Sequence, residues 1–373
     1  MKIRSLKLRN FRLFDNYELS FEDKNIIVGP NGSGKTTIIE AVNYASVFSP
    51  LRTYETDKDL VKLRENYFNI SVEFETEDSK TSNIFIGYEI KEDKGKKKIK
   101  LDGKTTNTIK VSGKLKVIPF LIEDYEIVVG SPSWRRKMID NFLISSNESY
   151  YPLLINYYKT LKQKNASIKL IEKLKTESPP NLTKMIEQIK ELIRTYNSNL
   201  SKFAVEITKH RLELYQYLTS RIKSMLDLDI EIKYKSQLAE IVKSSQDPIT
   251  EFTNLLNREL DREVSYGKSI IGPHLDDMVM VFKTKLAKTF LSQGQIRLAS
   301  IFFKIACAEY ISEKTKTKPI LLMDDVLGEL DETNRKKVIE KIFSLPYQII
   351  ISFFEIPEGI DRTGFKIIEL KQN

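Results

Sequence analysis

The sequence predicts an α/β protein whose main domain is interrupted by an antiparallel helical arm. Near the N-terminus, an apolar segment at 24–28 leads into a glycine-rich loop and then into the helical spacing of 37–42. A second apolar segment, 320–325, ends in two acidic residues near the C-terminus. Between them, residues 148–226 carry apolar side chains every three or four positions, which is typical of long helices. Because α/β patterns flank these helices on both sides, we expect the main domain to be discontinuous.

The composition narrows the class of protein. The chain has 373 residues, 41% apolar and 30% charged, as expected for two or three globular domains or for one domain with a large insertion. No apolar run is long enough to cross a bilayer, and residues 1–9 alternate as a strand does, without the apolar core of a signal peptide. Cys307 is the only cysteine, so an internal disulfide is impossible and we expect a reducing, cytoplasmic environment without a membrane partner.

The net charge of +9 permits binding to a polyanion without requiring it. A basic run at 91–98 follows a segment that alternates as a strand does. It has two interpretations, a solvated hairpin tip or a set of phosphate contacts on the rim of a DNA groove.

The glycine-rich loop fits the phosphate-binding pattern G-x-x-x-x-G-K-[ST] at every fixed position. Its glycines let backbone N–H groups turn towards phosphate oxygens, and the following helix adds the positive end of its dipole. Lys35 is expected to reach the β- and γ-phosphates of ATP, and the Thr36 hydroxyl to ligate Mg²⁺. The residues assigned to the nucleotide here are Gly29, Pro30, Asn31, Gly32, Ser33, Gly34, Lys35, Thr36 and Thr37.

Further elements are predicted along the chain. Residues 1–28 indicate two or three strands with a turn at 10–12, and the helix after the loop extends to about Phe48. A helix starts at Ser131 and Pro132, which favour the N-cap and the first helical position. In the arm, a first helix ends before Pro179 and Pro180, and a second could span about 60 Å if unbroken. Alternation or apolar spacing predicts strands at 68–74, 84–90, 230–234 and 278–282 and a helix at 249–260.

The acid-ended segment at 320–325 has the form of a Walker B strand. A carboxylate at the tip of such a strand can hold Mg²⁺ through water, which assigns Asp324. Asp325 is then placed to act as the general base that polarises the attacking water. Taken alone, the segment could also be an apolar strand that ends in acids by coincidence.

Residues 291–295 precede a helix predicted from Ile296 to about Ser312. Ser292 is a good N-cap and Gly294 admits close backbone approach, so this helix start is suited to an anion. Taken alone it could be a plain helix cap. Its place upstream of the acid-ended strand is typical of ABC-type ATPases. We therefore predict a discontinuous ABC-type P-loop ATPase head, with a β-rich subdomain at 67–122 and an inserted antiparallel helical arm.

Taken together, the motifs resemble the RecF family of recombination-mediator ATPases over the whole chain. The residues that carry the resemblance are Asn10-Phe11-Arg12, the GPNGSGKT loop, Ser131-Pro132 with Arg135-Arg136, Gly272-Pro273-His274, LSQGQ and LLMDDVLGELD. The doubled Asp, where transporters have Asp-Glu, is among the specific features. The chain departs from the family pattern at Leu275, Ile122, Gly328 and the Ser352-Phe353 pair, where the family has arginine, proline, serine and threonines.

The resemblance implies a mechanism in which ATP joins two subunits head to tail. The start of the Ser292 helix in one subunit would cap the γ-phosphate held at Lys35 of the other, and Ser352 would sense that phosphate as part of the catalytic set. Since Asp325 is one methylene shorter than glutamate, hydrolysis would be slow and would act as a switch. The residues that the resemblance adds to the nucleotide site are Arg12, Ser292, Gly294, Gln295 and Asp331.

The resemblance also implies partners. Double-stranded DNA or a junction of single and double strands would lie across the dimer and stimulate ATP hydrolysis. RecR would be the protein partner, with RecO and RecA downstream, in a nucleoid-associated protein. The predicted domains are 1–130 and 266–373, the two halves of the ATPase, and 131–265, the helical lobe.

Two other classes of ATPase and a catalytically inactive scaffold fit the sequence less well. An SMC-class ATPase head acting on DNA ends normally carries a far longer coiled coil, and a hook with Cys-x-x-Cys would need more than one cysteine. A transporter subunit needs a histidine after its last core strand and a catalytic glutamate, but the two histidines are His210 and His274. A scaffold with a dead ATP site is disfavoured because Lys35, Thr36 and both acids are intact.

Overall fold

A computed structural model describes residues 1–52, 55–226, 228–328, 330–357, 360 and 362–371. Its strands are β1 (Lys2–Phe11), β2 (Phe14–Ser20), β3 (Lys24–Val28), β4 (Tyr67–Glu75), β5 (Thr81–Lys91), β6 (Lys94–Leu101), β7 (Lys104–Thr106), β8 (Val117–Phe120), β9 (Ile230–Lys235), β10 (Asp277–Phe282), β11 (Lys285–Leu286), β12 (Ile320–Asp324), β13 (Ile349–Phe353) and β14 (Lys366–Glu369). Its helices are α1 (Lys35–Val47), α2 (Thr108–Val111), α3 (Glu126–Val129), α4 (Pro132–Ser146), α5 (Tyr150–Glu177), α6 (Leu182–Met225), α7 (Gln237–Ser244), α8 (Pro248–Arg258), α9 (Leu260–Tyr266), α10 (Ala287–Phe290), α11 (Gln293–Thr315) and α12 (Glu332–Phe343).

The central sheet draws strands from both ends of the chain, in the order β14-β3-β13-β12-β8. Its strand pairs are parallel, and parallel sheets are covered on both faces. Ile320 and Leu322 pack with α1 on one face, whereas Leu321 and Met323 pack with α11 on the other. The predicted discontinuous ABC-type head is confirmed, because the N-terminal strand β3 lies between two strands from the C-terminal half.

A second sheet is antiparallel, in the order β2-β1-β4-β5-β6-β7. The predicted strands at 68–74 and 84–90 are confirmed as β4 and β5, and their inward residues pack against α1. The predicted turn at 10–12 lies further along the chain, since β1 continues to Phe11 and the two residues before β2 are Arg12 and Leu13.

The basic run at 91–98 contains a hairpin tip and most of the following strand. The tip is Glu92 and Asp93, which have φ angles of 48° and 60°, so the predicted hairpin tip is confirmed at these two residues. Lys94 to Lys98 lie within strand β6, so the hairpin-tip interpretation is wrong for these lysines. The run alternates between the two faces of the sheet.

The arm consists of α5 and α6, which pack against each other along their length. α5 ends at Glu177 and is capped by Ser178, whose φ of 47° is left-handed, directly before Pro179 and Pro180. α6 has 44 residues, which corresponds to about 66 Å at the helical rise. Ile168 and Ile171 of α5 pack with Ile193 of α6, and the predicted antiparallel arm is confirmed.

A three-stranded sheet, β11-β10-β9, lies at the base of the arm. It joins β9, which precedes position 265, to β10 and β11, which follow it. The predicted domain boundary between 265 and 266 therefore divides a sheet, and the domain limits stay predictions. No helix in the described ranges is long and apolar enough to cross a membrane.

Candidate nucleotide-binding site

The glycine-rich loop forms a cradle between β3 and α1. Gly32 and Gly34 have φ angles of 79° and 103°, in the left-handed region that favours glycine. A Cβ on Gly34 would also lie 2.5 Å from Cζ of Phe14, so no side chain fits there. The first turn of α1 holds no acidic residue that would offset the positive end of its dipole. The backbone therefore has the shape that the P-loop motif predicts.

Lys35 begins α1 and lies over the loop. Its Nζ donates hydrogen bonds to the carbonyl oxygens of Gly29 and Pro30, at 2.6 and 2.9 Å. Burial lowers the pKa of Lys35, while the carboxylates of Asp325 and Asp324 act in the opposite direction. The ammonium is thus positioned between the phosphate cradle and the two acids.

The two acids are organised by Ser352. Strands β12 and β13 place Ser352 beside Asp324, and its buried hydroxyl donates to Asp324 Oδ1 at 2.7 Å. The same hydroxyl accepts a hydrogen bond from the backbone N–H of Asp325 at 3.1 Å. Asp325 adopts a φ of 51°, an uncommon value for a residue other than glycine. Ser352 therefore orients both acids, and its contact with a γ-phosphate stays a prediction.

One cleft of about 360 Å³ brings the loop and the acids together. The predicted site residues that line it are Asn31, Gly32, Gly34, Lys35, Thr36, Thr37, Asp324 and Asp325. Ser33 lies behind them, and its Oγ is a buried polar atom without a hydrogen-bond partner in the described structure. Since buried hydroxyls are rarely unpaired, this atom is suited to a ligand in the loop.

The sequence does not mark the remaining lining residues as site residues: Leu13, Leu51, Arg52, Leu121, Ile122, Glu123 and Trp134. Residues 121–123 follow β8, which pairs with β12. Because the carboxyl ends of parallel strands meet at one edge, their position was predictable once the strand order was known. Trp134 lies in the helix predicted to start at Ser131, and no signal in the sequence placed it at the cleft.

The residues of the LSQGQ motif lie elsewhere. Ser292 caps α11, where its Oγ accepts from the Gln295 N–H at 3.3 Å, and Gln295 Oε1 accepts from the Ser292 N–H at 2.9 Å. Gly294 is in the first turn, and outside its own helix a Cβ built on it would meet no atom of the described residues within 4 Å. None of these three residues lines the cleft. One chain thus contains the two predicted parts of the site in two separate places.

Two other predicted residues have roles within the chain. Asp331 caps α12 by accepting from the Asn334 N–H at 2.9 Å, and this hydrogen bond lowers the pKa of Asp331. Arg12 donates to both oxygens of Glu40 on α1, at 2.8 and 2.9 Å, and to Glu55 at 2.5 Å. Neither residue lines the cleft, and their contacts with a nucleotide stay predictions.

Comparison with known proteins gives the family. A family model described as RecF/RecN/SMC N terminal domain matches residues 2–357. The DNA replication and repair protein RecF of Clostridium novyi (strain NT) is 33% identical over 376 residues, with 97% of this chain and 96% of that protein covered. This chain belongs to the RecF family. The RecF protein of Clostridium tetani (strain Massachusetts / E88) is 34% identical over 363 residues, with 92% of this chain and 90% of that protein covered.

Solved RecF structures have the same fold. A structure of the recombination mediator protein RecF-ATP in the RecFOR pathway has a TM-score of 0.83 and 26% identity, and 96% of this chain and 93% of that chain are covered. The corresponding RecF-ATPrS structure has a TM-score of 0.84 and 27% identity, and 99% of this chain and 97% of that chain are covered.

The other RecF motifs meet at the base of the arm. Arg135 of α4 binds Asp277 of β10 through two hydrogen bonds of 2.8 Å, and the neighbouring Arg136 donates to the Asp276 carbonyl at 2.6 Å. The Tyr157 hydroxyl of α5 lies 2.6 Å from His274 Nδ1. These contacts join α4, the arm and the three-stranded sheet, so the paired arginines and the Gly-Pro-His segment hold the lobes together.

Proposed function

We propose that this RecF-family protein is an ATP-dependent DNA-binding protein of recombinational gap repair, in which ATP joins two copies head to tail. One observation carries the proposal: the cleft holds Lys35 and both acids, whereas Ser292, which is exposed, and Gly294, which is half-buried, belong to a separate surface of the same chain. A second copy would supply that surface. ATP bound at Lys35 of one copy would then be capped by the Ser292 helix of the other.

The residues of the cleft fit a nucleotide and its metal ion. The loop amides, the start of α1 and Lys35 would bind the phosphates. Thr36 and Asp324 line the same cleft, and their hydroxyl and carboxylate oxygens are the kind of ligand that Mg²⁺ prefers. The ion would supply charge neutralisation at the β- and γ-phosphates. Asp325 would accept the proton of the attacking water, with its backbone held by Ser352.

The surroundings of the LSQGQ motif support a second copy as its occupant. Gly294 lowers helix stability by about 1 kcal/mol relative to alanine, yet among the described residues no neighbour outside its helix would clash with a side chain there. Exposed apolar side chains lie close to the motif, and we call this set the signature surface. Tyr125 (36% exposed) and Val129 (36%) line a cavity with Gln293, and Leu286 (39%) and Phe290 (50%) precede the motif in sequence. Apolar side chains grouped in this way are typical of protein interfaces.

Slow hydrolysis would release the dimer and so act as a switch for DNA binding. Double-stranded DNA or a junction of single and double strands is the proposed nucleic-acid partner, and stimulation of hydrolysis by DNA is expected. The names of the solved relatives place them in the RecFOR pathway. For this chain we propose RecR as partner and RecO-assisted loading of RecA as the outcome, in the cytoplasm at the nucleoid.

Sedimentation velocity with and without ATP tests the proposal. The wild-type protein is expected to be a monomer alone and a dimer with ATP. Ser292→Arg should bind a fluorescent ATP analogue with unchanged affinity but stay monomeric, because the larger cation blocks the cap. Ser236→Arg is the matched control, since Ser236 caps α7 in the same way, with its Oγ 3.2 Å from the Ala239 nitrogen. ATP-dependent dimers of the Ser292→Arg variant would contradict the proposal.

A further inference from the structure

The outer face of the six-stranded sheet is open. Along β4 the inward residues Phe68, Ile70, Val72 and Phe74 are buried, whereas the residues between them are exposed or half-buried. The same alternation holds in β5 and β6. The sheet therefore uses one face for the core and leaves the other face to solvent, as antiparallel sheets commonly do.

One side of this open face carries a row of cations. Lys94, Lys96, Lys98 and Lys100 are the outward residues of β6, so their side chains repeat about every 6.8 Å along the strand. In the described part of the chain, no carboxylate lies within ion-pair distance of any of them. The remaining lysine of β6, Lys97, points inward, donates to the Phe48 carbonyl at 2.7 Å and pairs with Asp57 at 3.1 Å.

The cations lie beside aromatic rings. Phe85 of β5 is paired in register with Lys100, whose Nζ is 5.6 Å from the centre of the Phe85 ring. Gly87 follows on the same face, and a Cβ there would lie 3.4 Å from Cε1 of Phe85, so the glycine leaves room for the ring. In β4, the centre of the Tyr67 ring lies 5.8 Å from the guanidinium of Arg9.

The face also carries carboxylates. Glu89 of β5 lies between Tyr67 and Lys96 and is paired with Lys91 at 3.0 Å. Glu18 on β2 is paired with Lys7 at 2.8 Å. Glu73 lies opposite Asn83 near the far ends of β4 and β5. None of these three residues stands in the row of lysines, so the field along β6 is positive.

We propose that this face, made of the outward side chains of β6 with Phe85, Tyr67 and Arg9, binds single-stranded DNA. A row of lysines along an extended strand fits a phosphate backbone, and aromatic side chains on an open sheet can stack with unpaired bases. In a duplex the bases are already stacked on one another, so Phe85 and Tyr67 would contribute little. The inference rests on the proposed DNA-binding function and assigns the unpaired strand of a gapped substrate to this sheet.

Fluorescence anisotropy with a labelled 30-nucleotide oligo-dT and a labelled 30-base-pair duplex tests this inference. The Lys96→Gln/Lys98→Gln variant should bind oligo-dT at least about 10-fold more weakly, and its salt slope should fall by about 1.4, which is 0.7 for each lost phosphate contact. Phe85→Ala should weaken oligo-dT binding by about 5- to 150-fold, the range for one base–aromatic stack, without a change in slope. Phe85→Tyr should retain the wild-type affinity.

The matched control is Lys162→Gln/Lys169→Gln, which removes two exposed lysines from the arm and should leave oligo-dT binding unchanged. Duplex binding should be insensitive to Phe85→Ala. The inference would be overturned if Lys96→Gln/Lys98→Gln and Phe85→Ala both bound oligo-dT with wild-type affinity. It would also be overturned if these variants lost as much affinity for the duplex as for oligo-dT. Sedimentation with ATP keeps the two proposals separate, because these variants should dimerise as the wild type does whether or not oligo-dT binds.

Discussion

Lys304 and Asp124 form a buried ion pair that joins helix α11 to the wall of the nucleotide cleft. Their side chains are only 4% and 6% exposed. Lys304 also donates to the Pro119 carbonyl at 2.5 Å, and Asp124 Oδ2 accepts from the N–H of Leu121 at 2.7 Å. Leu121 lines the cleft, and α11 begins at the LSQGQ motif. The two separated parts of the site in one chain are therefore mechanically connected.

Lys304→Met is expected to destabilise the fold. The substitution leaves the Asp124 carboxylate buried without a cation, and removing one partner of a buried pair costs about 3–5 kcal/mol. The free energy of unfolding, measured by urea denaturation, gives the comparison. Lys304→Met/Asp124→Asn should recover much of the loss, since no charge is then left unpaired. Equal stability of Lys304→Met and the wild type would show that the pair does not hold these segments together.

Asp325→Asn is expected to stop ATP hydrolysis while leaving ATP-dependent dimers intact. Loss of a general base slows proton transfer by about 100- to 10,000-fold, and an amide cannot accept the proton from water. Single-turnover phosphate release measures the rate, and sedimentation measures the dimer. Glu123→Gln is the matched control, because Glu123 is a further carboxylate that lines the cleft. If Glu123→Gln abolishes hydrolysis and Asp325→Asn does not, the base is Glu123.

His274 should make the protein less stable in mild acid. Burial lowers the pKa of His274 to about 4, from 6.5, and its Nε2 has no hydrogen-bond partner in the described structure. Between pH 6.5 and 4, His274 is therefore protonated in the unfolded chain and neutral in the folded chain. The neutral ring contributes fully to the free energy of unfolding above pH 6.5, and this contribution is lost as the pH falls towards 4. The loss is up to about 3 kcal/mol, at 1.36 kcal/mol per pKa unit.

Urea denaturation at pH 7.5 and pH 5 measures this dependence, with His274→Gln as the comparison. Carboxylates titrate in the same range in both proteins, so the difference between the two proteins reports the histidine. The wild type should lose more stability than the variant between the two pH values. Equal losses would show that His274 takes up a proton as easily in the folded protein as in the unfolded chain.

Local patterns were enough to predict most elements. The apolar spacing of 148–226 and the double proline give α5 and α6, because helix periodicity and proline geometry act over a few residues. The glycines of the loop similarly determine the cradle. Ser292 was predicted as an N-cap, and the capping hydrogen bonds are present. Each of these features depends on neighbours in sequence.

Features that depend on distant partners were not predictable in this way. Arg12 is bound by Glu40 and Glu55, and no spacing rule links these three positions. The hydrogen bond from the Ser352 hydroxyl to Asp324 was not predicted either, because it depends on the register of β12 and β13. The hairpin tip was predicted within the run at 91–98, but Lys94 to Lys98 were not predicted as a strand, because the alternation that separates Lys97 from Lys96 and Lys98 is hard to recognise where most residues are lysines.

The strand order of the central sheet has a consequence for synthesis on the ribosome. Strand β3, which carries the glycine-rich loop, hydrogen-bonds only to β13 and β14 within its sheet, and both come from the last part of the chain. While the polypeptide emerges, β3 has no lateral neighbour in that sheet until residue 353 has left the exit tunnel. A nascent chain truncated before β13 should therefore be a client for chaperones and lack affinity for nucleotide, however complete its N-terminal motifs are.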